Sequence, residues 1–364
     1  METYITQSGL SRLQDIDREI HRLRWERLRL VHPLRQLFWE CTLRCNMSCL
    51  HCGSDCKKEE QRPDMPLEDF LAVLDDLRTH LDPRRVLVNT VGGEPLARTD
   101  LARCGAEITR RGFQWGMVTN GYLLTSKKLA ELQKAGLRTI AVSLDGLEEE
   151  HNWLRGHPLA FSHAATAIRA LAASSNLMWD VITCVNRRNI GQLPALKDFL
   201  TGLGVKRWRC CTIFPSGRAA HNPELQLTSA EFRQLMDFIV AVRAEGVIRL
   251  NYGCEGYLGE YEGRVRDYLY ACQAGQSVAS VLSDGSISGC LSIRSNYHQG
   301  NIYKDNFWEV WNRRFQVYRD AEWKRTGICR DCSLFADCQG NGMHLRSDDG
   351  SLALCHYRKL HGEE

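Results

Sequence analysis

The sequence of 364 residues contains no long apolar segment and no recognisable secretion signal. No stretch approaches the roughly eighteen consecutive apolar residues that a membrane-spanning helix requires. The opening segment, METYITQSGLSRLQDIDREIHRLRWERLRL, has neither a continuous apolar core nor a small-residue cleavage site, so no signal peptide is expected there. These absences predict a cytoplasmic protein without a membrane span.

The sequence also has little net charge, no internal repeat, no low-complexity tract and no long linker. Its formal net charge of +3 at pH 7 argues against a dedicated nucleic-acid-binding protein. Hydrophobic residues make up 43% of the chain, which is enough for a sizeable core. We therefore expect a globular protein that folds without disulfide bonds.

Cysteine, by contrast, is abundant, with 16 in the chain and four of them in the segment RCNMSCLHCGSDC, residues 44–56. A disulfide framework is typical of small secreted domains that cannot bury a core. In a reducing compartment, clustered cysteines more often serve as metal ligands or catalytic groups. The cluster therefore predicts a metal centre.

The spacing within this segment favours iron–sulfur chemistry over zinc. Zinc sites usually take four ligands in paired knuckles, whereas Cys45-x3-Cys49-x2-Cys52 offers three. Thiolates suit iron–sulfur clusters, and three of them would leave one iron of a four-iron cluster open for catalysis. Cys41 and Cys56 fall outside the spacing, and we interpret them as free thiols near the cluster.

Short apolar runs alternate with amphipathic stretches between residues 36 and 250. Runs such as LFWECTL, VLVNTV and MWDVITCV are typical of strands covered on both faces, and stretches such as SKKLAELQKAG are typical of helices. The pattern predicts about six βα units, too few for a closed eight-stranded barrel. We predict an α/β fold with a partial (β/α)6 barrel at 36–250, after a basic helical segment at 1–35 and before a cysteine-rich domain at 251–364.

Parallel sheets bind ligands at the carboxyl ends of their strands, and polar or glycine-rich residues follow several of the predicted strands. A single Gly-Gly or Asn-Gly pair signals no more than a turn. Three such segments at the same end of successive strands predict a binding site. The residues are Gly92, Gly93, Glu94, Pro95, Thr119, Asn120, Gly121, Ser143, Asp145 and, a little further on, Arg155.

The cysteine triplet and these strand-end segments resemble the radical S-adenosylmethionine (radical SAM) enzymes. The resemblance implies that Cys45, Cys49 and Cys52 hold a catalytic [4Fe–4S] cluster whose open iron is chelated by S-adenosylmethionine. It also implies reduction by an external donor of the flavodoxin or ferredoxin type, and a deoxyadenosyl radical that abstracts hydrogen from the substrate. By motif position, the residues implied to contact the cofactor are His51, Gly92, Gly93, Glu94, Pro95, Thr119, Asn120, Ser143, Asp145 and Arg155.

The C-terminal third has its own cysteine pattern. Cysteine spacing of this kind also fits a zinc-binding domain. Together with the upstream motifs, it is similar to the SPASM extension of radical enzymes that mature peptides and proteins. That resemblance implies a second auxiliary iron–sulfur cluster on Cys329, Cys332, Cys338 and Cys355, and a first one on Cys272 and Cys290, with Cys254 as a candidate third ligand.

The chain departs from that pattern at Gly342, where the SPASM family usually has another cysteine. The fourth ligand of the first auxiliary cluster is therefore open. His344 could supply a nitrogen ligand, the iron could stay open, or the site could hold a smaller cluster or none. We favour a cluster with a non-cysteine or open position.

The segment before residue 36 is locally basic because of six arginines: Arg18, Arg22, Arg24, Arg27, Arg29 and Arg35. Contact with nucleic acid or a membrane surface is one interpretation. We favour a solvated helix that packs on the barrel.

The leading functional hypothesis is crosslinking or oxidation of a ribosomally made peptide or protein. Sulfatase maturation is an alternative, but Leu291 follows Cys290 where those enzymes typically place an aspartate base. Small-molecule chemistry, for instance on a tetrapyrrole, is a second alternative. A non-catalytic electron carrier is a third, although a carrier needs no cofactor-binding motifs.

The triplet yields a direct prediction. Anaerobically reconstituted protein with dithionite and S-adenosylmethionine should release deoxyadenosine even without substrate, because one iron is open. Replacing Cys45, Cys49 and Cys52 together with alanine should abolish this release, as measured by chromatography. Undiminished release by the triple variant would contradict the assignment.

Overall fold

The computed structural model describes residues 12–60, 62–253 and 255–363, with side chains of the first helix from residue 16 onward. The strands are β1 (Gln36–Thr42), β2 (Leu87–Gly92), β3 (Gln114–Thr119), β4 (Leu137–Ser143), β5 (Met178–Val185), β6 (Arg207–Thr212), β7 (Arg249–Tyr252), β8 (Val278–Val281), β9 (Ser286–Ser288) and β10 (Gly300–Asn301). The α-helices are α1 (Arg12–Val31), α2 (Leu67–Leu77), α3 (Leu101–Arg110), α4 (Ser126–Lys134), α5 (Glu148–Arg155), α6 (Ala160–Ala172), α7 (Leu193–Gly202), α8 (Ser229–Glu245), α9 (Phe307–Arg313), α10 (Gln316–Arg319), α11 (Phe335–Cys338) and α12 (His356–His361).

Strands β1 to β7 form one parallel sheet in sequence order, and helices connect most of them. Strands β7 and β10 lie at the two edges of the ten-stranded sheet, so the described strands form an open, partial barrel as predicted. The first six predicted strands are all present. Strand β7 extends the predicted set by one parallel strand, which pairs with β6 through Arg207 and Arg249.

The core lies between the strands and the helices that cover them. Trp39, Trp115 and Trp208, on three different strands, are at most 1% exposed. Trp39 stacks on Phe70 of α2, with ring centroids 4.3 Å apart. Near-continuous apolar runs are expected of parallel strands covered on both faces, and β2 accordingly has four consecutive buried residues.

The C-terminal part continues the barrel sheet. Strand β8 pairs in parallel with β1, from Gln36 opposite Val278 to Trp39 opposite Val281, and β9 returns antiparallel to β8. The segment SVLSDGSISGC, residues 280–290, contains the turn of this hairpin and all of β9. Cys272 precedes the hairpin and Cys290 follows it, so both cysteines are carried to the barrel by strand pairing.

Helix α1 packs on the C-terminal part, and the expectation that it packs on the barrel was wrong. Trp25 is 5% exposed, and its indole nitrogen donates to Gln276 Oε1 at 2.7 Å. Arg18 and Arg22 both pair with Asp337, the latter at 2.7 Å. Arg18 and Arg22 therefore neutralise the buried carboxylate of Asp337. None of the described helices is long and apolar enough to cross a lipid bilayer.

The position of α1 predicts that Trp25 anchors it. Trp25→Ala should cost about 3–5 kcal/mol, the usual loss for truncating a buried tryptophan. Amide hydrogen exchange across α1 should accelerate accordingly. Leu23→Ala is the matched control, because Leu23 is 57% exposed on the same helix and its truncation should leave exchange unchanged. Equal exchange in both variants would contradict this role.

Candidate functional site

A cavity of about 650 Å³ lies at the carboxyl ends of the barrel strands. It brings most of the predicted site residues together on its wall: Cys45, Cys49, His51, Cys52, Gly92, Gly93, Thr119, Asn120, Ser143, Arg155, Cys272 and Cys290. Glu94 and Asp145 are fully buried and reach this wall through the residues they bond. Cys254 lies outside the described residues.

The three thiols of the triplet face one another in the cavity. Burial raises the pKa of Cys45 to about 12, and the neighbouring Cys49 and Cys52 act in the same direction. A hydrogen bond from the Cys56 thiol lowers the pKa of Cys52 to about 5, and the Cys56 backbone N–H approaches Cys52 Sγ at 3.4 Å. Burial and the neighbouring sulfurs disfavour the thiolate form of Cys45, so a bound cation would be needed to stabilise negative charge there. Three sulfur donors of this kind fit an iron–sulfur cluster.

Arg218 holds the cysteine loop in shape. Its Nε donates to the carbonyl oxygen of Cys49 at 2.7 Å, and its Nη1 donates to the carbonyl oxygen of Cys56 at 3.0 Å and to Asp55 at 2.9 Å. Its backbone N–H bonds the carbonyl oxygen of Cys52 at 3.0 Å. The loop has little regular structure, and the carbonyl oxygens of Cys49 and Cys52 otherwise accept only longer hydrogen bonds, at 3.3 and 3.4 Å. Arg218 therefore completes the pairing of the loop backbone. Sequence reasoning did not identify Arg218.

The Gly92–Gly93 backbone packs directly against Thr42 and Arg44, which lead into the cysteine loop. The N–H of Gly93 donates to the carbonyl oxygen of Thr42 at 2.8 Å, and that of Glu94 donates to the carbonyl oxygen of Arg44 at 2.9 Å. A Cβ on Gly92 would lie 2.0 Å from the Thr42 oxygen, and one on Gly93 would lie 2.2 Å from the Arg44 oxygen. Glycine is therefore required for this approach, which sets the predicted cofactor loop beside the cluster loop.

Glu94 ties two strand-end turns together. Its carboxylate accepts hydrogen bonds from Thr119 Oγ1 at 2.7 Å, the Asn120 backbone at 2.8 Å and the Leu96 backbone at 3.1 Å. Burial raises the pKa of Glu94, and these hydrogen bonds oppose the rise. The carboxylate is thus engaged by protein donors, and direct contact with the cofactor stays a prediction.

Asp145 positions Arg155 on the cavity wall. The Arg155 Nε donates to Asp145 Oδ2 at 2.6 Å, and its Nη1 lies 3.9 Å from Cys49 Sγ. Burial alone would raise the pKa of Asp145, but Arg155, His51 and His151 hold it at about 2. The ion pair therefore places a fixed positive charge beside the cluster thiols, where it can balance their negative charge.

His51 lines this side of the cavity, and Cys184 lies close to it. Burial lowers the pKa of His51 to about 4, so its imidazole is neutral. Donor atoms of His51, Asp145 and Cys184 all lie within 4.8 Å of one another. No spacing in the sequence singled out Cys184, which lies within β5.

The last cysteines of the chain form a separate site. Burial raises the pKa of Cys338 to about 12, and the nearby thiols of Cys355, Cys329 and Cys332 add to this rise. Arg346, which is 2% exposed, points its guanidinium at Cys329 Sγ from 3.5 Å. Four converging thiols with a buried cation fit a fully cysteine-ligated iron–sulfur cluster.

Cys272 and Cys290 share the central cavity with His344. Burial lowers the pKa of His344 to about 4, so this imidazole is neutral as well. The backbone at Gly342 lies directly beside the histidine ring. The described residues therefore bring two cysteines and one histidine, with no cysteine at 342, to the predicted first auxiliary site.

Comparison with known families agrees with this geometry. Residues 39–200 match the model of the Radical SAM superfamily, and residues 272–333 match the model of the SPASM iron–sulfur cluster-binding domain. The first match spans β1 to most of α7, including the cysteine triplet. The second spans the β8–β9 hairpin and ends just after Cys332.

Curated relatives match over most of their length. An AdoMet-dependent heme synthase from Methanosarcina barkeri is 25% identical over 341 residues, covering 88% of this chain and 95% of the relative. Mycofactocin maturase MftC from Mycobacterium ulcerans is 28% identical over 315 residues, covering 84% of this chain and 82% of the relative.

Two solved structures share the fold. Native anSMEcpe with bound AdoMet superposes with a TM-score of 0.71 at 18% identity, over 91% of this chain and 96% of that one. Streptococcus suis SuiB bound to S-adenosylmethionine superposes with a TM-score of 0.66 at 17% identity, over 85% of this chain and 72% of that one.

Arg218 yields a testable prediction. Arg218→Gln leaves the Cys56 carbonyl oxygen without its donor, at a cost of about 1–3 kcal/mol, and removes the shorter of the two hydrogen bonds that the Cys49 carbonyl oxygen accepts. The iron held by the triplet should be lost to a chelator several-fold faster, as followed by the electron paramagnetic resonance signal that responds to S-adenosylmethionine. Arg138→Gln, at an exposed position on β4, is the control and should match the wild type. Equal loss from all three proteins would contradict the role of Arg218.

Proposed function

The chain is a radical SAM superfamily enzyme with a C-terminal SPASM domain, and we propose that it modifies a ribosomally made peptide or protein. In this proposal, a hydrogen atom is removed from an unactivated carbon of one residue, and the outcome is a crosslink or an oxidation. When bound, the [4Fe–4S] cluster and S-adenosylmethionine supply the one-electron chemistry that removes the hydrogen atom.

The size of the cavity carries the proposal. At about 650 Å³, it is comparable to a site for one small ligand. The cluster and S-adenosylmethionine both belong there, so the remaining space suits a single side chain. Tyr268, which is 47% exposed, also lines the cavity, so the cavity reaches the surface there. A peptide could insert one residue and leave the rest of its chain outside.

The residues of the chain have defined parts in this proposal. Cys45, Cys49 and Cys52 hold the cluster, and Arg218 keeps their loop in shape. The Gly92 and Gly93 backbone packs against the chain that leads into this loop and lines the cavity where the cofactor would bind. Apolar side chains complete the wall and exclude water from the reacting carbon: Phe38, Val91, Val118, Leu291 and Ile293.

Sulfatase maturation has less support. Leu291 lies on the cavity wall at the position where the resemblance places an aspartate base, and leucine cannot accept a proton. Among the described residues that line the cavity, none is an aspartate or a glutamate. An oxidation that requires a carboxylate base beside the substrate does not fit this wall.

A tetrapyrrole substrate is the second candidate, because the AdoMet-dependent heme synthases align with this chain over most of their length. A tetrapyrrole with several carboxylates would require uncommitted cations. The arginines of the wall are already paired: Arg155 with Asp145, Arg209 with Asp180 at 2.7 Å, and Arg218 with Asp55 at 2.9 Å. This pairing favours the peptide.

The test compares two kinds of probe. Reconstituted protein is incubated anaerobically with dithionite, S-adenosylmethionine and either iron-coproporphyrin III or synthetic peptides encoded by short reading frames beside its gene. We expect a peptide to accelerate deoxyadenosine release and to lose a pair of hydrogens by mass spectrometry. The triple alanine variant of the cysteine triplet is the control. Loss of carbon dioxide from the porphyrin, with all peptides unchanged, would replace the proposal with the second candidate.

A further inference from the structure

The imidazole of His344 occupies the space that a side chain at residue 342 would need. A Cβ on Gly342 would lie 2.7 Å from His344 Cε1 and 2.9 Å from its Nδ1. Both contacts are shorter than packed atoms accept, so a cysteine at 342 and His344 in its present position exclude one another. The backbone at Gly342, with φ −68° and ψ 141°, is one that any residue adopts. The histidine ring therefore makes the two closest contacts with a side chain at 342, and the Glu255 carbonyl oxygen, 3.0 Å from the same Cβ, makes the third.

His344 lies on the wall that also carries Cys272 and Cys290. A short turn, Met343–Leu345, holds it there, and Phe214 packs on its ring with centroids 4.9 Å apart. The ring forms no hydrogen bond with any residue that the structure describes. His344 is partly exposed and lines the cavity, so a group bound there can reach its ring.

The two cysteines differ from those that serve the hydrophobic core. Cys41 and Cys210 are 0% exposed within the main core, and each lies on a barrel strand. Cys272 and Cys290 are partly exposed and face the cavity. Both cysteines also pack against the main core, but a cluster between the two sulfurs and His344 would account for the cavity-facing position of all three residues.

We propose that His344 is an iron ligand of the first auxiliary cluster, together with Cys272 and Cys290. Imidazole nitrogen replaces thiolate on iron in Rieske centres, so the chemistry has precedent. The proposal relies on the iron–sulfur SPASM domain and not on the substrate, so its failure would leave the proposed function intact.

The decisive measurement needs no substitution at His344. Wild-type protein labelled with ¹⁵N-histidine is reconstituted and reduced without S-adenosylmethionine, and pulsed electron paramagnetic resonance detects nitrogen coupled to the clusters. The same spectrum is recorded for the triple alanine variant of Cys45, Cys49 and Cys52, which lacks the catalytic cluster. We expect the histidine nitrogen coupling in both proteins, which assigns it to an auxiliary cluster.

Variants identify the histidine. His344→Gln should lose the nitrogen coupling and about four irons per chain, the content of one [4Fe–4S] cluster. The cluster on Cys329, Cys332, Cys338 and Cys355 should persist in Mössbauer spectra. His221→Gln, at an exposed histidine, is the control and should keep both the coupling and the iron.

A ligand exchange separates ligation from packing. In Gly342→Cys/His344→Ala, the imidazole is gone and the closest remaining contact of the new Cβ is the Glu255 carbonyl oxygen at 3.0 Å, so the iron content should return to the wild-type value without nitrogen coupling. Gly342→Cys alone should not do so, because the ring still blocks the new side chain. Absence of histidine coupling in the wild-type protein, or retention of the coupling in His344→Gln, would overturn the proposal.

Discussion

Three clustered thiols in one short loop, two of them buried, are the constraint on which the rest of the site depends. Burial opposes negative charge on Cys45 and Cys49, and the close thiols oppose it further. An irregular loop cannot hold such a group in place by its own hydrogen bonds. The loop is instead supported by the Gly-Gly backbone on one side and by Arg218 on the other.

Parallel strand order explains why the motifs lie together at the carboxyl ends of the strands. The cysteine loop follows β1, the Gly-Gly pair follows β2, and Thr119 and Asn120 end β3. Parallel pairing brings these three ends side by side. Glu94 then joins the last two turns through its buried carboxylate. The cavity is therefore a direct product of parallel strand order, which sets the cluster loop next to the cofactor loops.

Local patterns predicted the barrel strands and the cysteine triplet, because apolar periodicity and ligand spacing lie within a few consecutive residues. The contacts that were missed join distant parts of the chain. Arg218 bonds Cys49 across 169 positions, and Trp25 bonds Gln276 across 251. The hydrophobic periodicity of a sequence carries no information about such long-range pairs. The basic N-terminal segment suggested a charged surface, yet Arg18 and Arg22 are directed at Asp337. Charge composition alone could not identify that partner.

Two side chains at the cavity, Arg155 and His344, would affect the charge of the clusters that bind beside them. The catalytic site sets thiolates beside Arg155, whose charge is fixed by Asp145. In the proposed first auxiliary site, the imidazole of His344 would take the place of a thiolate ligand. Replacing thiolate by imidazole removes negative charge from a cluster and raises its reduction potential, as it does in Rieske centres. Such a cluster accepts an electron more readily than one ligated by cysteine alone.

Removal of a hydrogen atom leaves an unpaired electron on the substrate, and Cys272, Cys290 and His344 line the same cavity. The histidine thus suits the first auxiliary site to accept that electron during an oxidation.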